Sequence, residues 1–567
     1  MNIINKFFLK LALLPVGLYK RMGVNIHQLK SILHTKLTMD DRRPNTLHQT
    51  QRRKNKPVSM ATLGTMVMSA LLGLIYLFAF SIGSNVITNL TIYFSLFFFM
   101  LSASLISDFT SVLIDVRDTF IILPKPVSDK TFVVARLLHI FIHICKMVLP
   151  MSLAGFVYIT THYGIAGSLF FLVMIAFVTS FAIFFINALY ILILRITTPQ
   201  KFQSIISYVQ IIFAIAIYAS YQVFPRMIGD ANLGSLDISS KPLIILYPIY
   251  WFACCWNVLY YMAGSSNEII AAVLGLVLPV LSLYFVVKYL APTFNNKLAM
   301  ISSSSSEQAA VVKKGQRRAS YSDFLAKLFT SSAAEKVGFL FTWKMAARSR
   351  DFKLKVYPSI GYLAVYVVIM FMNSKTMSLD QVREEGTRGK VLIISALYFT
   401  SLLLTMAINQ MIYSDKYKAS WVYYVSPLQK PGEIIMGGAK AAIFKFYIPI
   451  VVFITLAGLS LVGPKILPNI ILGLFNELLI ATVVVYVSNK MFPFSVYQNT
   501  NVKAGSFLRS LFVLFISGLI AVGHFFIYSV IPVVLICAVL SVVATWMMMG
   551  SIKNTSWAAI KSRYAEE

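Results

Sequence analysis

Apolar runs of about 20 residues recur along this chain, each long enough to cross roughly 30 Å of hydrocarbon as a helix. That recurrence constrains the fold more than any other feature. Inside lipid every backbone N–H and C=O must find a partner within the protein, which leaves helices or closed barrels. With 58% of its 567 residues hydrophobic, the chain cannot be a single soluble core. The expected class is an all-α polytopic membrane protein with about 12 transmembrane helices.

The predicted spans fall at 60–83, 86–106, 137–160, 165–194, 204–224 and 268–290. They recur at 357–373, 391–413, 441–463, 467–489, 507–525 and 528–550. Residues 1–58 read as a cytoplasmic amphipathic lead-in, 59–290 as a first six-span half, and 291–356 as a basic, Ser-rich linker with an interfacial helix. Residues 357–550 read as a second six-span half and 551–567 as a cytoplasmic tail. Within 225–267, the run Tyr247 to Phe252 suits an interfacial aromatic belt or a short helix dipping back toward the membrane.

The net charge of +29 invites a nucleic-acid reading. A basic excess is only an electrostatic footprint, however, and Lys and Arg collect in cytoplasmic loops of membrane proteins. Residues 1–58 hold 12 Lys/Arg against two acids, and 291–357 hold 12 against four. The charge therefore orients the chain with both termini in the cytoplasm, and no nucleic acid is expected. The four cysteines, Cys145, Cys254, Cys255 and Cys537, lack metal-ligand spacing and imply no disulfide framework. In the lead-in, Leu29, Ile32, Leu33 and Leu37 recur at helical spacing. Lys30, Lys36, Asp40, Asp41, Arg42 and Arg43 supply a charged side and end, as in a helix lying in the interface.

Two polar, proline-bearing elbows interrupt the apolar pattern. One runs from Asp115 to Arg136 and the other from Ser414 to Lys440. Pro124 answers Pro427, Ala135-Arg136 answers Ala439-Lys440, and Lys146 with Pro150 answers Lys445 with Pro449. Each elbow leaves one span and enters the next. Proline breaks the helix, so each reads as a short helix, a turn and the following span. An ordered duplication of this kind has to be sought before a fold is assigned.

Catalytic motifs are missing. There is no G-x-x-x-x-G-K-[ST] phosphate cradle, no H-E-x-x-H and no G-x-S-x-G. Ionisable groups inside spans are costly and become functional candidates by default. Glu477, beside Asn476 in the tenth span, is the clearest. His139, His143 and Lys146 recur at helical spacing on the third span, where Lys146 is placed to snorkel toward the cytoplasm. Asn187 and Asn409 suit interhelical hydrogen bonds.

The order of basic interfacial helix, two spans, a polar elbow with Leu123-Pro124-Lys-Pro126 and Ala135-Arg136, then four more spans, resembles the permease subunit of type-2 ATP-binding-cassette exporters. The large two-half bacterial form is the nearest likeness, and both halves share it. The resemblance implies a separate ATPase subunit in two copies, with ATP and Mg²⁺ bound there and no cofactor in this chain. It implies an inner-membrane location and an unknown exported substrate. By the same likeness Asp115, Arg117, Asp118, Pro124 and Arg136 in the first elbow, and Asp415, Lys418, Trp421, Pro427 and Lys440 in the second, are the ATPase-coupling candidates. The second elbow departs in placing Lys418 and Trp421 opposite Asp115 and Asp118. Two other readings stand beside this one. An ion-coupled secondary transporter would use sites near the midplane, with Glu477, Asn476, His143 and Lys146 as its polar candidates. A membrane-embedded transferase would need converging acid, base or metal ligands, for which His162, His524 and the 225–267 segment are the places to look.

Overall fold

The structure, a computed structural model, describes residues 2–42, 61–112, 125–197, 199–230, 237–239, 241–286, 288, 320–372, 386–414, 416–487, 490–497 and 504–560. Among these residues the chain is helical, and one isolated parallel bridge joins Tyr413 to Val496. Seven helices are long and apolar enough to cross a membrane, or eight when a bent pair is counted as one span. Two compact units are present: residues 1–206 with 223–311, and residues 207–222 with 312–567.

The first unit opens with Ile3–Ala12 (α1) and Ile26–Arg42 (α2), followed by Ala61–Tyr76 (α3) and Val86–Val112 (α4). Next come Asp129–Ile196 (α5), Pro199–Asp230 (α6), Pro248–Tyr261 (α7) and Ser266–Phe285 (α8). Residues 207–222 of α6 group with the second unit. Leu29, Leu33 and Leu37 are fully buried against Ala135 and Ile142 of α5, so the predicted apolar stripe of α2 is its packing face. The charged side is not uniformly solvated. Asp41 is buried, accepts from Thr62 and takes the backbone N–H of Asn2 at 3.3 Å.

At 68 residues, α5 is roughly three times as long as one crossing needs. It turns back on itself at Gly164, which holds φ 67° and ψ −171°. The reversal is visible in the packing of Tyr93. Its ring lies against Gly155 on one arm and 5.4 Å from Phe171 on the other. In a straight helix those positions would be about 24 Å apart. The predicted spans 137–160 and 165–194 are these two arms.

The α7–α8 pair, which contains the Pro248–Phe252 part of the Tyr247–Phe252 run as helix, is bent by 109°, a broken span or re-entrant loop. Its inner end is fixed by buried Trp256, whose Nε1 donates to the Gly167 carbonyl at 2.9 Å. Cys254 and Cys255 are buried, free thiols packed as small hydrophobes.

The second unit contains Tyr321–Phe329 (α9), Ala333–Arg348 (α10), Arg350–Met372 (α11) and Thr387–Gln410 (α12). Gly432–Ala442 (α13), Ile448–Leu461 (α14), Leu467–Val487 (α15), Ala504–Ile527 (α16) and Ile531–Lys553 (α17) follow. A π-turn, Ile443–Tyr447, joins α13 to α14, and there the Ile448 N–H reaches the Ile443 carbonyl five residues back. Pro449 accounts for it: proline lacks an N–H and its ring crowds the carbonyl four residues earlier, so the winding loosens. The core of this unit is formed by α12, α13 and α15, with Leu397, Leu404, Ile434, Tyr447 and Ala481 buried among them.

Candidate functional site

Of the coupling candidates, Asp115, Arg117, Asp118, Pro124 and Asp415 lie outside the described residues. Lys418, Trp421 and Pro427 lie on the surface of the second elbow, Arg136 is half-buried on α5, and Lys440 sits on α13.

The second elbow is built as a braced knob. After α12 the chain is tied to the loop 490–497: Phe494 N–H donates to Met411 O at 2.7 Å, and Ser414 N–H to Val496 O at 2.9 Å. A 3₁₀ turn, Tyr417–Ser420, then feeds a five-residue helix, Trp421–Val425. One side of this short helix is clamped. Tyr423 stacks on Phe492 with ring centroids 4.6 Å apart, and its hydroxyl donates to Pro493 O at 3.1 Å. Tyr424 lies against Phe492 and Trp557, and the Trp557 Nε1 donates to Leu428 O at 2.9 Å. Lys430 donates to Asn554 Oδ1 at 3.1 Å.

The other side faces outward. Trp421 is 58% exposed, Val422 50% and Val425 67%. Trp421 and Val425 stand four apart and so share a helix face. Three apolar side chains are thus held on a rigid seat.

Below the knob, Glu335 at the start of α10 joins three elements. Its fully buried carboxylate pairs with Lys440 of α13 at 2.7 Å and with Lys553 of α17 at 3.0 Å. It also accepts from the backbone and hydroxyl of Ser331, both at 2.9 Å. Burial pushes its acid strength down, but the Lys440 and Ser331 hydrogen bonds and the Lys553 contact outweigh that and hold the carboxyl at about 2. Lys440, a coupling candidate from the sequence, is therefore a member of this internal ion network.

In each unit a helix, α2 in the first and α10 in the second, lies along the helix that follows the elbow. In the second, Ser332 of α10 meets Glu433 at 2.6 Å, and Lys445 donates to Trp343 O at 2.6 Å. In the first, Gln28 of α2 donates to Pro126 O at 2.9 Å and Asp40 meets His139 Nε2 at 2.6 Å. The two helices of each pair run parallel, with contacting residues offset by about 100 positions. Asp40 faces His139, His143 and Lys146 of α5. Burial opposes its ionisation, yet the His139 hydrogen bond and the charges of His139, His143 and Lys146 hold it below the usual carboxylate range.

Among the apolar helices of the second unit, a chain of hydrogen bonds links four. Ser541 of α17 donates to Asn476 Oδ1 at 2.6 Å, and Asn476 Nδ2 donates to the Tyr398 hydroxyl of α12 at 2.7 Å. Tyr398 and His524 Nδ1 of α16 are 3.1 Å apart, and His524 Nε2 is 3.1 Å from Asn469 Oδ1. Because Asn469 Oδ1 only accepts, Nε2 carries the ring proton and Nδ1 accepts from Tyr398. Sequence reasoning found Asn476 and missed Tyr398, Asn469 and Ser541, which are unremarkable residues until the helices meet. Glu477, one position from this chain, is fully buried and stands apart from it.

Among the described residues no group of three or more His, Cys, Asp or Glu is placed to hold a metal ion. No protein-family model, curated protein or solved structure matches the chain.

Proposed function

We propose that this chain is the membrane-spanning permease of a type-2 ATP-binding-cassette exporter, with both termini in the cytoplasm of a bacterial inner membrane. It has two six-helix halves. Counting α5 as two crossings, and α6, α11 and α16 as one each, gives six helices on either side of the linker. ATP and Mg²⁺ bind in separate ATPase subunits, which dock on the elbows. Closure of the ATPase pair pushes each elbow, and the elbow moves the two helices it joins.

The observation that carries this reading is the exposed Trp421, Val422 and Val425 face on a clamped helix. A contact that transmits force must be rigid toward the membrane and adhesive toward the partner. Burying three such side chains against a partner supplies several kcal/mol of attraction before the costs of association. The clamps through Tyr423, Trp557 and Lys430 pass displacement to the 490–497 loop and to the end of α17.

The test is affinity purification of the tagged chain from its native membrane in mild detergent, with mass spectrometry of what accompanies it. A stoichiometric P-loop ATPase is expected, depleted in Trp421→Asp while chain abundance and melting temperature stay unchanged. Absence of any ATPase from the wild-type chain across several mild detergents overturns the proposal.

A further inference from the structure

Both carboxyl oxygens of Glu477 are buried without a partner among the described residues. The residue lies near the middle of the apolar helix Pro464–Val487 and is 1% exposed. Titratable and polar groups stand on the neighbouring α12, π-turn, α16 and α17. Tyr398 of α12 and Tyr447 of the π-turn are the phenols within electrostatic reach of the carboxyl. His524 of α16 is engaged at both nitrogens by Tyr398 and Asn469. From α17 come Ser541 and Thr545, whose hydroxyls donate to Asn476 Oδ1 and to the Ser541 carbonyl. The Tyr447 hydroxyl donates to Leu474 O at 3.3 Å.

No cation is on that roll, and the hydroxyl hydrogens named there are committed elsewhere. An ionised carboxylate left unpaired in such surroundings would cost tens of kcal/mol in the dry limit. A neutral acid with its O–H unpaired costs about 1–3 kcal/mol. The neutral form wins by a wide margin.

We infer that Glu477 is a proton-binding site in the membrane interior: in this conformation one carboxyl oxygen holds a proton, and the site can release it only when α15 moves enough to admit water. Uptake transfers one proton from water to the carboxylate and takes its charge from −1 to 0. Release reverses both changes. The hydrogen-bonded chain from Ser541 to Asn469 holds α12, α15, α16 and α17 in the conformation that seals the acid. Protonation and helix arrangement are therefore coupled, because opening the seal and ionising Glu477 favour each other. This site goes beyond the ATPase-driven reading, and its test uses the chain without any ATPase.

The experiment is infrared spectroscopy of the purified full-length chain in lipid nanodiscs, comparing wild type with Glu477→Gln, the nearest neutral isostere. A protonated-carboxyl C=O band present at neutral pH in wild type and missing from the variant is expected. That band should shift in D₂O and fade on alkaline titration. Carbodiimide labelling mapped by mass spectrometry gives a second readout on the unmutated chain, since the reagent captures protonated carboxyls in apolar surroundings. Adduct formation at Glu477 is expected. Absence of both band and adduct at neutral pH overturns the inference, because the carboxyl is then ionised. A band that neither exchanges in D₂O nor titrates also overturns it, because the acid is then permanently sealed.

Discussion

Glu335 shows what a single buried charge can do when it is paired. Its ordinary value is 4.5 and the folded protein holds it at about 2, so the ionised form is favoured by folding. A depressed folded value contributes stability that is complete above the unfolded value and disappears as pH falls toward the folded one. Glu335→Gln should therefore lose roughly 2 kcal/mol at neutral pH, the scale of hydrogen bonds to a charged group. The loss should shrink below pH 4.5 and vanish near 2. Detergent-solubilised melting curves at a fixed scan rate, recorded for both proteins across that range, measure it. A deficit independent of pH would mean that the carboxylate's charge contributes nothing. Asp40 on α2 is held low by the same kind of pairing, with His139 in place of the two lysines.

At the scale of elements, α10 and α13 approach until backbone meets backbone. A Cβ at Gly338 would collide with the Ile434 carbonyl, and one at Gly437 with the Glu335 carbonyl and, at 2.8 Å, the Phe339 nitrogen. Neither obstacle is a side chain that can swing away. Gly437→Val should force the helices apart, at about 1–3 kcal/mol for overpacking and more through the strained Glu335 network. It should also weaken ATPase retention, because α13 carries the base of the elbow. Gly518→Ala, which meets open space on α16, is the matched control and should change neither the melting temperature nor the retained ATPase.

These contacts mark where sequence reading stops. The stripe of Leu29, Leu33 and Leu37 was readable because a four-residue spacing defines a helix face without reference to anything else. The break in α5 falls between the predicted spans 137–160 and 165–194, and the turn of the second elbow was readable from Pro427. Periodicity says which face is apolar and leaves open which helix covers it. Glu335 and Lys553 are more than two hundred positions apart, and nothing local to either announces the other. Tyr398, Asn469 and Ser541 are likewise ordinary residues of apolar helices until three chain segments converge. Glu477 was conspicuous because it is costly wherever the helix goes.

For the whole molecule, the proposed permease role implies two docking places for one kind of ATPase, and the two elbows would offer it different chemistry. The second presents Trp421, Val422 and Val425, an apolar contact. The first carries Asp115, Arg117 and Asp118 in sequence, charged residues where the second has Lys418 and Trp421. Attraction between exposed charges is screened once salt shortens the Debye length to a few ångströms, whereas burial of apolar area is not screened. A complex purified at low salt should therefore hold two ATPase copies per chain, and raising the salt should strip one copy before the other. The retained copy belongs to the second elbow. Trp421→Asp should accordingly leave a one-copy complex at low salt that falls to none at high salt, while Asp118→Asn should leave one copy that persists. Native mass spectrometry of the three proteins along a salt series reads this directly. Simultaneous loss of both copies in every protein would mean that the ATPases bind only as a preformed pair, and the asymmetry written into the elbows would then have no bearing on assembly.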